Sequence, residues 1–390
     1  MKEFSKVINR RNTNSLKWDV GESELPMWVA DMDFKTADCI TNAIVAKAKS
    51  GVFGYQIVPD AWYEAIINWW RTRHGFAIGK DWLCFCTGVV PAITSSIKRL
   101  TNVGDNVVVL TPVYDIFFHS IENTGRHTLE CPLVYANGSY SIDFADLESK
   151  LAEPLSTLLI LCNPHNPVGK VWEKDELKRI GELCAKHGVT VFSDEIHCEL
   201  TAPDVGYTPF ASASEKCKDI SVTALSASKT FNLAGLQSAS VFASNEQIRN
   251  KVVRGLNSDE LAEPNAFAIE ATVAAFSTEG GEWLDALREH IVKNKATAVA
   301  FLNKHLPEIK PIAQNATYLM WLDCSAICDD AERLCDFIRA ETGLYVNAGN
   351  KYRGNGRYFL RLNVACPEST LLDGLNRLKV GINRYTDKQK

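Results

Sequence analysis

The sequence predicts an α/β protein whose main sheet is largely parallel and buried on both faces, with a second, smaller α/β unit after it. Two observations carry this. From about residue 82, short continuous runs of Val, Ile and Leu alternate with helical stretches, the pattern of strands covered on both faces by crossover helices. After a polar segment at Asn257-Ser258-Asp259-Glu260, a long helical region leads into a second set of strand-like and helical segments. At 390 residues the chain is long enough for two domains.

Taken in order, residues 1–50 open with polar sequence and then Leu25-Pro26-Met27-Trp28-Val29-Ala30-Asp31-Met32-Asp33-Phe34, an apolar run interrupted by two acids. A helical stretch near Ala37 to Ser50 follows, then a glycine-punctuated loop that carries Tyr55. Pro59 starts a helix in which Trp62, Ile66 and Trp69 or Trp70 fall at helical spacing, as core residues do. Expected strands are Trp82 to Cys86, Val107 to Leu110, Leu158 to Cys162, Val189 to Phe192, Ile220 to Leu225 and Ser240 to Ala243. Helices are expected at Ala92 to Leu100 and Glu173 to His187. A long helical region from about Pro264 to Leu306 comes next. Beyond it lie strands at Tyr318 to Leu322 and Tyr358 to Asn363, a helix near Asp329 to Thr342, and a last helix.

Composition narrows the function. A net charge of -5 disfavours nucleic acid and anionic membranes as partners. No stretch approaches the roughly 18 apolar residues of a membrane span. Met1 to Trp18 is polar and mixed in charge, so no export leader is expected and a cytoplasmic protein is. The 12 cysteines are scattered without a C-x-x-C pair, so no metal site is expected and the thiols read as reduced, small, buried residues.

Ligands of such sheets bind beyond the carboxyl ends of the strands. After Trp82 to Cys86 comes Thr87-Gly88-Val89-Val90-Pro91, a glycine turn into a helix whose free N–H groups suit a phosphate. After Val107 to Leu110 comes Tyr114. After Leu158 to Cys162 comes Asn163-Pro164-His165-Asn166-Pro167-Val168-Gly169, where two Asn-Pro pairs fix a rigid loop around Asn166. After Val189 to Phe192 comes Ser193-Asp194-Glu195-Ile196-His197. After Ile220 to Leu225 comes Ser226-Ala227-Ser228-Lys229, a lysine among small residues with no adjacent carboxylate, a candidate desolvated amine able to form a Schiff base. Any one of these is an ordinary loop residue. Together they give an amine, a carboxylate, an amide, an aromatic face and a phosphate turn, which are the requirements of pyridoxal 5′-phosphate.

The motifs Asn163-Pro164-x-Asn166-Pro167-x-Gly169, Asp194-Glu195-Ile196-His197 and Ser226-x-Ser228-Lys229 resemble those of fold-type I pyridoxal-phosphate enzymes of the aminotransferase superfamily. Trp28 to Phe34, Thr87 to Pro91, Asn163 to Trp172, Ser228 to Leu236 and Phe359 to Pro367 resemble, more narrowly, the MalY/PatB group of cystathionine β-lyases. The resemblance spans nearly the whole chain. It implies a large domain (51–285) with a mostly parallel seven-stranded-type sheet and a small domain formed by both termini (1–50 and 286–390). It also implies Lys229 as Schiff-base lysine, Asp194 as partner of the pyridine nitrogen and Asn166 at the ring oxygen. His197 stands where transaminases commonly place a tyrosine for that oxygen. Tyr114 would stack on the ring. Gly88, Val89, Val90 and Ser226 or Ser228 would hold the phosphate, and Arg361 the substrate carboxylate. Tyr55 is similar to a tyrosine that reaches the phosphate of a neighbouring subunit, which implies a homodimer. Many aminotransferases carry an arginine eight residues after the lysine, where this chain has Gln237.

The reaction so implied is α,β-elimination on S-substituted cysteines such as cystathionine, giving a thiol, pyruvate and ammonia, a reaction of methionine biosynthesis. Lys229 would act as base, and Asp31 is a candidate for the substrate pocket. A transaminase would use the same cofactor site and is the alternative. Ser226-Ala227-Ser228-Lys229 also satisfies S-x-x-K, but the S-D-N and K-T-G companions of a penicillin-binding hydrolase are missing. A regulatory protein that has kept the site would need a binding module, and no basic patch is visible.

Overall fold

The computed structural model describes residues 4–389. Its centre is a seven-stranded sheet of Leu83–Cys86 (β1), Asn106–Thr111 (β2), His127–Pro132 (β3), Ser156–Cys162 (β4), Thr190–Asp194 (β5), Ser221–Leu225 (β6) and Ala239–Phe242 (β7). The spatial order is β1-β7-β6-β5-β4-β2-β3. From β6 to β3 all neighbours run parallel, and β7 alone is antiparallel to both of its neighbours. The sheet is therefore mixed but mostly parallel, as the alternating runs predict.

Why the runs are continuous is visible in β2. Side chains alternate between faces. Val108 and Leu110 pack with Leu177 and Ile180 of the helix Lys174–His187, whereas Val107 and Val109 pack with Ile93 and Ile97 of the helix Val89–Leu100. Both faces are dry, so the run from Val107 to Leu110 is apolar throughout. The helix Asp60–His74 buries Trp62, Ile66, Trp69 and Trp70, so the tryptophans are core.

A second, antiparallel sheet consists of Lys310–Pro311 (β8), Leu319–Asp323 (β9), Asn347–Ala348 (β10) and Phe359–Asn363 (β11), in the order β8-β9-β11-β10. It packs with the helices Ala331–Thr342 and Glu368–Gln389 through Leu334, Ile338, Leu371 and Leu375. Leu25 and Met27 join that core, and Leu25–Pro26 pairs in parallel with Leu344–Tyr345. Ile40, from the helix Asp38–Lys49, packs instead with Trp62 and Leu284.

Four elements differ from expectation. The helical region from Pro264 to Leu306 is two helices, Ala268–Ala275 and Thr278–His305, because Ser277 leaves helical geometry and caps the second by accepting from the Gly280 N–H at 3.2 Å. The polar Asn257-Ser258 pair ends a helix, Glu246–Ser258, whose Gly255 lies against Ser95 and Arg99. The helix after β1 starts at Val89, with Pro91 in its first turn, where a missing N–H costs no bond. Strand β3 has no counterpart among the expected strands. It is the sheet edge and its residues are half-exposed or exposed except Cys131, so it carries no apolar run.

Candidate active site

Parallel strands put the ends of β2, β4, β5 and β6 on one edge of the sheet. There a cavity of about 270 Å³ is walled by Gly88, Val89, Val90, Tyr114, Asn166, Asp194, His197, Ser226, Ser228 and Lys229, joined by Ala30, Ile196 and Gln237. Nearly all of the cofactor residues named from the strand ends meet in this one space. Tyr55 does not. It is 98% exposed on the irregular loop before the helix Asp60–His74.

Lys229 lies on a single helical turn, Ala227–Thr230, held by Ser226, whose Oγ accepts from the Ser228 N–H at 3.0 Å and donates to the Ser238 carbonyl at 2.6 Å. Its Nζ donates to the Ala30 carbonyl at 2.8 Å. Burial, and after it the Arg361 charge, lowers the amine to about 8 against the weaker pull of Asp31 and Asp194. Asp194 ends β5 in a buried position, and its Oδ1 accepts from the Ile196 N–H at 3.1 Å. Burial raises its carboxyl to about 7, because one backbone N–H and the more distant Lys229 do not offset the lost water. His197 is buried with Nδ1 unbonded, and burial, then Lys229 and Arg361, holds it neutral at about 3.

Arg361 lies in the middle of β11, opposite Trp321 on one side and Asn347 on the other. It is buried, donates to Asn166 Oδ1 at 3.3 Å and the Trp28 carbonyl at 3.1 Å, and lies 5.0 Å from the centre of the Tyr352 ring. Its Nε is unbonded, and no carboxylate pairs with it among the described residues. A buried guanidinium held only by neutral acceptors is an arrangement suited to an incoming carboxylate.

Asp31 does not wall the cavity. Its carboxylate pairs with Arg10 at 2.7 Å and Lys17 at 3.5 Å, while Asp33 takes the same two cations at 2.8 and 2.7 Å. The segment contributes through its backbone. The Trp28 carbonyl takes Arg361, the Ala30 carbonyl takes Lys229 and the Tyr318 hydroxyl, and the Val29 and Asp31 carbonyls take Asn363 Nδ2. Residue type cannot announce a carbonyl's role; only the clustered motif from Trp28 to Phe34 marked the place.

Outside this edge, His74, Cys198 and Glu199 bring potential metal-ligand atoms within 4.8 Å. Glu199 already accepts from Trp69 at 2.6 Å, contacts His74 at 2.7 Å and pairs with Arg73 at 3.4 Å, so its charge is balanced without an ion.

The donor set fits pyridoxal 5′-phosphate on the structure's own terms. The cavity has the scale of a small heteroaromatic phosphate. Asp194 lacks the cation a pyridinium nitrogen would supply, the amine of Lys229 meets no carboxylate, and the Val89 and Val90 N–H groups open the helix Val89–Leu100 without an earlier turn to bond.

Comparison with known proteins agrees with this geometry. The model of the family described as aminotransferase class I and II matches residues 25–378. The chain is 44% identical over 387 residues to cystathionine beta-lyase PatB of Bacillus subtilis (strain 168), covering 97% of this chain and 100% of that protein. It is 33% identical over 383 residues to protein MalY of Escherichia coli (strain K12), covering 96% and 97%. Among solved structures, cystalysin from Treponema denticola, which contains a pyridoxal 5′-phosphate cofactor, superposes with a TM-score of 0.95 at 32% identity over 98% of this chain and 99% of that one.

Proposed function

Because the chain belongs to the aminotransferase class I and II family, we propose that it catalyses pyridoxal-phosphate-dependent α,β-elimination of S-substituted L-cysteines, with cystathionine giving homocysteine, pyruvate and ammonia. The observation that carries the proposal is the meeting of an uncharged-prone lysine and a buried carboxyl in one cavity, with an acid-free arginine bonded to Asn166 of its wall. PatB, named for cystathionine lysis and matched over its full length, supports elimination over amino transfer.

Lys229, Asp194, Asn166, His197, Tyr114 and the Val89–Val90 turn with Ser226 and Ser228 would hold the cofactor. When bound, it supplies an aldehyde for amines and an electron-poor ring that stabilises negative charge at the substrate Cα. Arg361 binds the substrate α-carboxylate with two N–H groups and in doing so exchanges neutral acceptors for a charge. That contact fixes the Cα–H bond relative to Lys229. The Lys229 amine, lowered to about 8, is partly unprotonated near neutral pH and takes the Cα proton. Asp194 would pair with the ring nitrogen and hold a proton there, a cation that would in turn stabilise its own charge. His197, neutral and unbonded at Nδ1, would be free to accept or donate at the cofactor's ring oxygen together with Asn166. Loss of the Cβ sulfur as thiol completes the elimination, and water converts the remaining enamine to pyruvate and ammonia.

The functional unit we infer is a homodimer acting in the cytoplasm, with Tyr55 of one subunit directed to the phosphate of the other. Its support is the exposed apolar loop of Val52, Phe53, Tyr55 and Ile57. All twelve cysteines are unpaired, which suits a reducing compartment. The division we propose, 51–285 around the large sheet and 1–50 with 286–390 around the small one, is supported by Leu25 and Met27 in the small sheet's core, while Ile40 packs with the large unit. No helix among the described residues is long and apolar enough to cross a membrane.

Purified protein given cystathionine and no 2-oxo acid tests the reaction. Pyruvate and ammonia should accumulate over many turnovers. Arrest after one equivalent, relieved only by an added oxo acid, would make the enzyme a transaminase.

A further inference from the structure

On the elimination reading above, we propose that Asp115 and Lys351 form a second recognition point, for the charged amino-acid end of the leaving thiol. Asp115 follows Tyr114, which walls the cavity. Lys351 lies on the turn Gly349–Tyr352 and pairs with Asp115 at 3.4 Å. Both side chains of the pair reach solvent, Asp115 with 17% and Lys351 with 41% exposed.

Tyr352 ties this pair to the substrate clamp. Lys351 Nζ is 5.3 Å and Arg361 Cζ 5.0 Å from the centre of the same Tyr352 ring, so the two cations are at most about 10 Å apart. The ring itself is buried, and its carbonyl accepts from the Val113 N–H at 3.0 Å, which fixes the turn against the segment that carries Tyr114 and Asp115. Partial burial, and after it the Asp115 and Arg361 charges with opposite signs, acts on the Lys351 amine, so the three charges sense one another.

The spacing accommodates a ligand with two separated carboxylates. An extended diamino dicarboxylate thioether places its two carboxyl groups about 8–9 Å apart, from ordinary bond lengths along seven bonds. With its α-carboxylate on Arg361, its far carboxylate reaches Lys351 and its far ammonium reaches Asp115. The pair is self-complementary to a zwitterion: each member exchanges its partner for the opposite charge of the ligand, and no charge is left bare. A substrate whose sulfur carries only an alkyl group makes no such exchange.

The test compares kcat/KM of the wild type, Lys351→Ala, Asp115→Asn and Lys351→Arg with cystathionine and with S-methyl-L-cysteine, following pyruvate. The expected result is a 10- to 100-fold loss with cystathionine for Lys351→Ala and Asp115→Asn, mostly in KM, with less than a two-fold change for S-methyl-L-cysteine and partial recovery in Lys351→Arg. Equal losses on both substrates would overturn the proposal, since they would report a disturbed fold or cofactor. No loss on either would overturn it too, leaving the elimination reading intact. A wild type that releases pyruvate from neither substrate would instead overturn the elimination reading and the recognition point with it.

Discussion

Asp194 ends its strand with a backbone N–H on one oxygen and no bonded cation, while Glu195 beside it accepts from Ser193, Tyr207 and the Phe210 N–H. Both carboxyls are raised to about 7 by burial. Between the unfolded values near 4 and these folded values, the folded protein holds more protons than the unfolded chain, so these groups make the cofactor-free protein lose stability as pH rises through that window. Asp194→Asn removes one of the two contributions. The variant is therefore expected to gain in melting temperature relative to wild type as pH goes from about 4 to about 7, measured on cofactor-stripped protein, and a difference flat in pH would count against a neutral, buried Asp194. The cofactor residues on the strand ends were legible in the sequence because each has its own chemistry. Asp31 was not legible in the same way. Its charge drew attention, yet Arg10 and Lys17 bind it, and the segment acts through carbonyls that look alike at every position.

Among the elements, the helix Val89–Leu100 does two jobs: its first turn offers N–H groups to the cavity, and its far side packs on the helix Glu246–Ser258 at Gly255. A Cβ on Gly255 would approach Ser95 Oγ to 2.7 Å and Arg99 Cγ to 2.8 Å. Gly255→Val is thus expected to cost about 1–3 kcal/mol by overpacking and, by shifting the helix, to weaken cofactor binding. Thermal unfolding and a cofactor titration check both, and a variant that loses stability but keeps cofactor affinity would separate the two jobs. The apolar runs made β2, β4, β5 and β6 readable because both faces of each are buried. The edge strand β3 escaped because exposure on its free side removes the run, and the break at Ser277 escaped because a cap is a matter of one hydroxyl within an otherwise helical pattern.

For the whole molecule, the two sheets meet at the site: Lys229 comes from the helical turn after the large sheet's β6, and Arg361 from the small sheet's β11. Segment 28–32 bridges them by backbone bonds to both residues. The proposed dimer adds Tyr55 from the neighbouring subunit. Replacing Phe53 and Ile57 with Asp should yield monomers by analytical ultracentrifugation, with reduced cofactor retention, because charges in place of exposed apolar side chains oppose association. A dimer of unchanged affinity would move the interface elsewhere. The alternation of strands and helices made the large unit readable. The contact between Lys351 and Asp115 was not readable, since nothing in the pattern of a chain says which distant turn folds onto which strand end.

The most direct test is the turnover of cystathionine by Lys229→Ala, loaded with pyridoxal 5′-phosphate and followed by pyruvate release. If the lysine anchors the cofactor and removes the Cα proton, turnover should fall by about 10³-fold or more while the fold is retained, and added small primary amines should restore part of it. Turnover within about tenfold of wild type would contradict the account, because proton removal would then belong to another group.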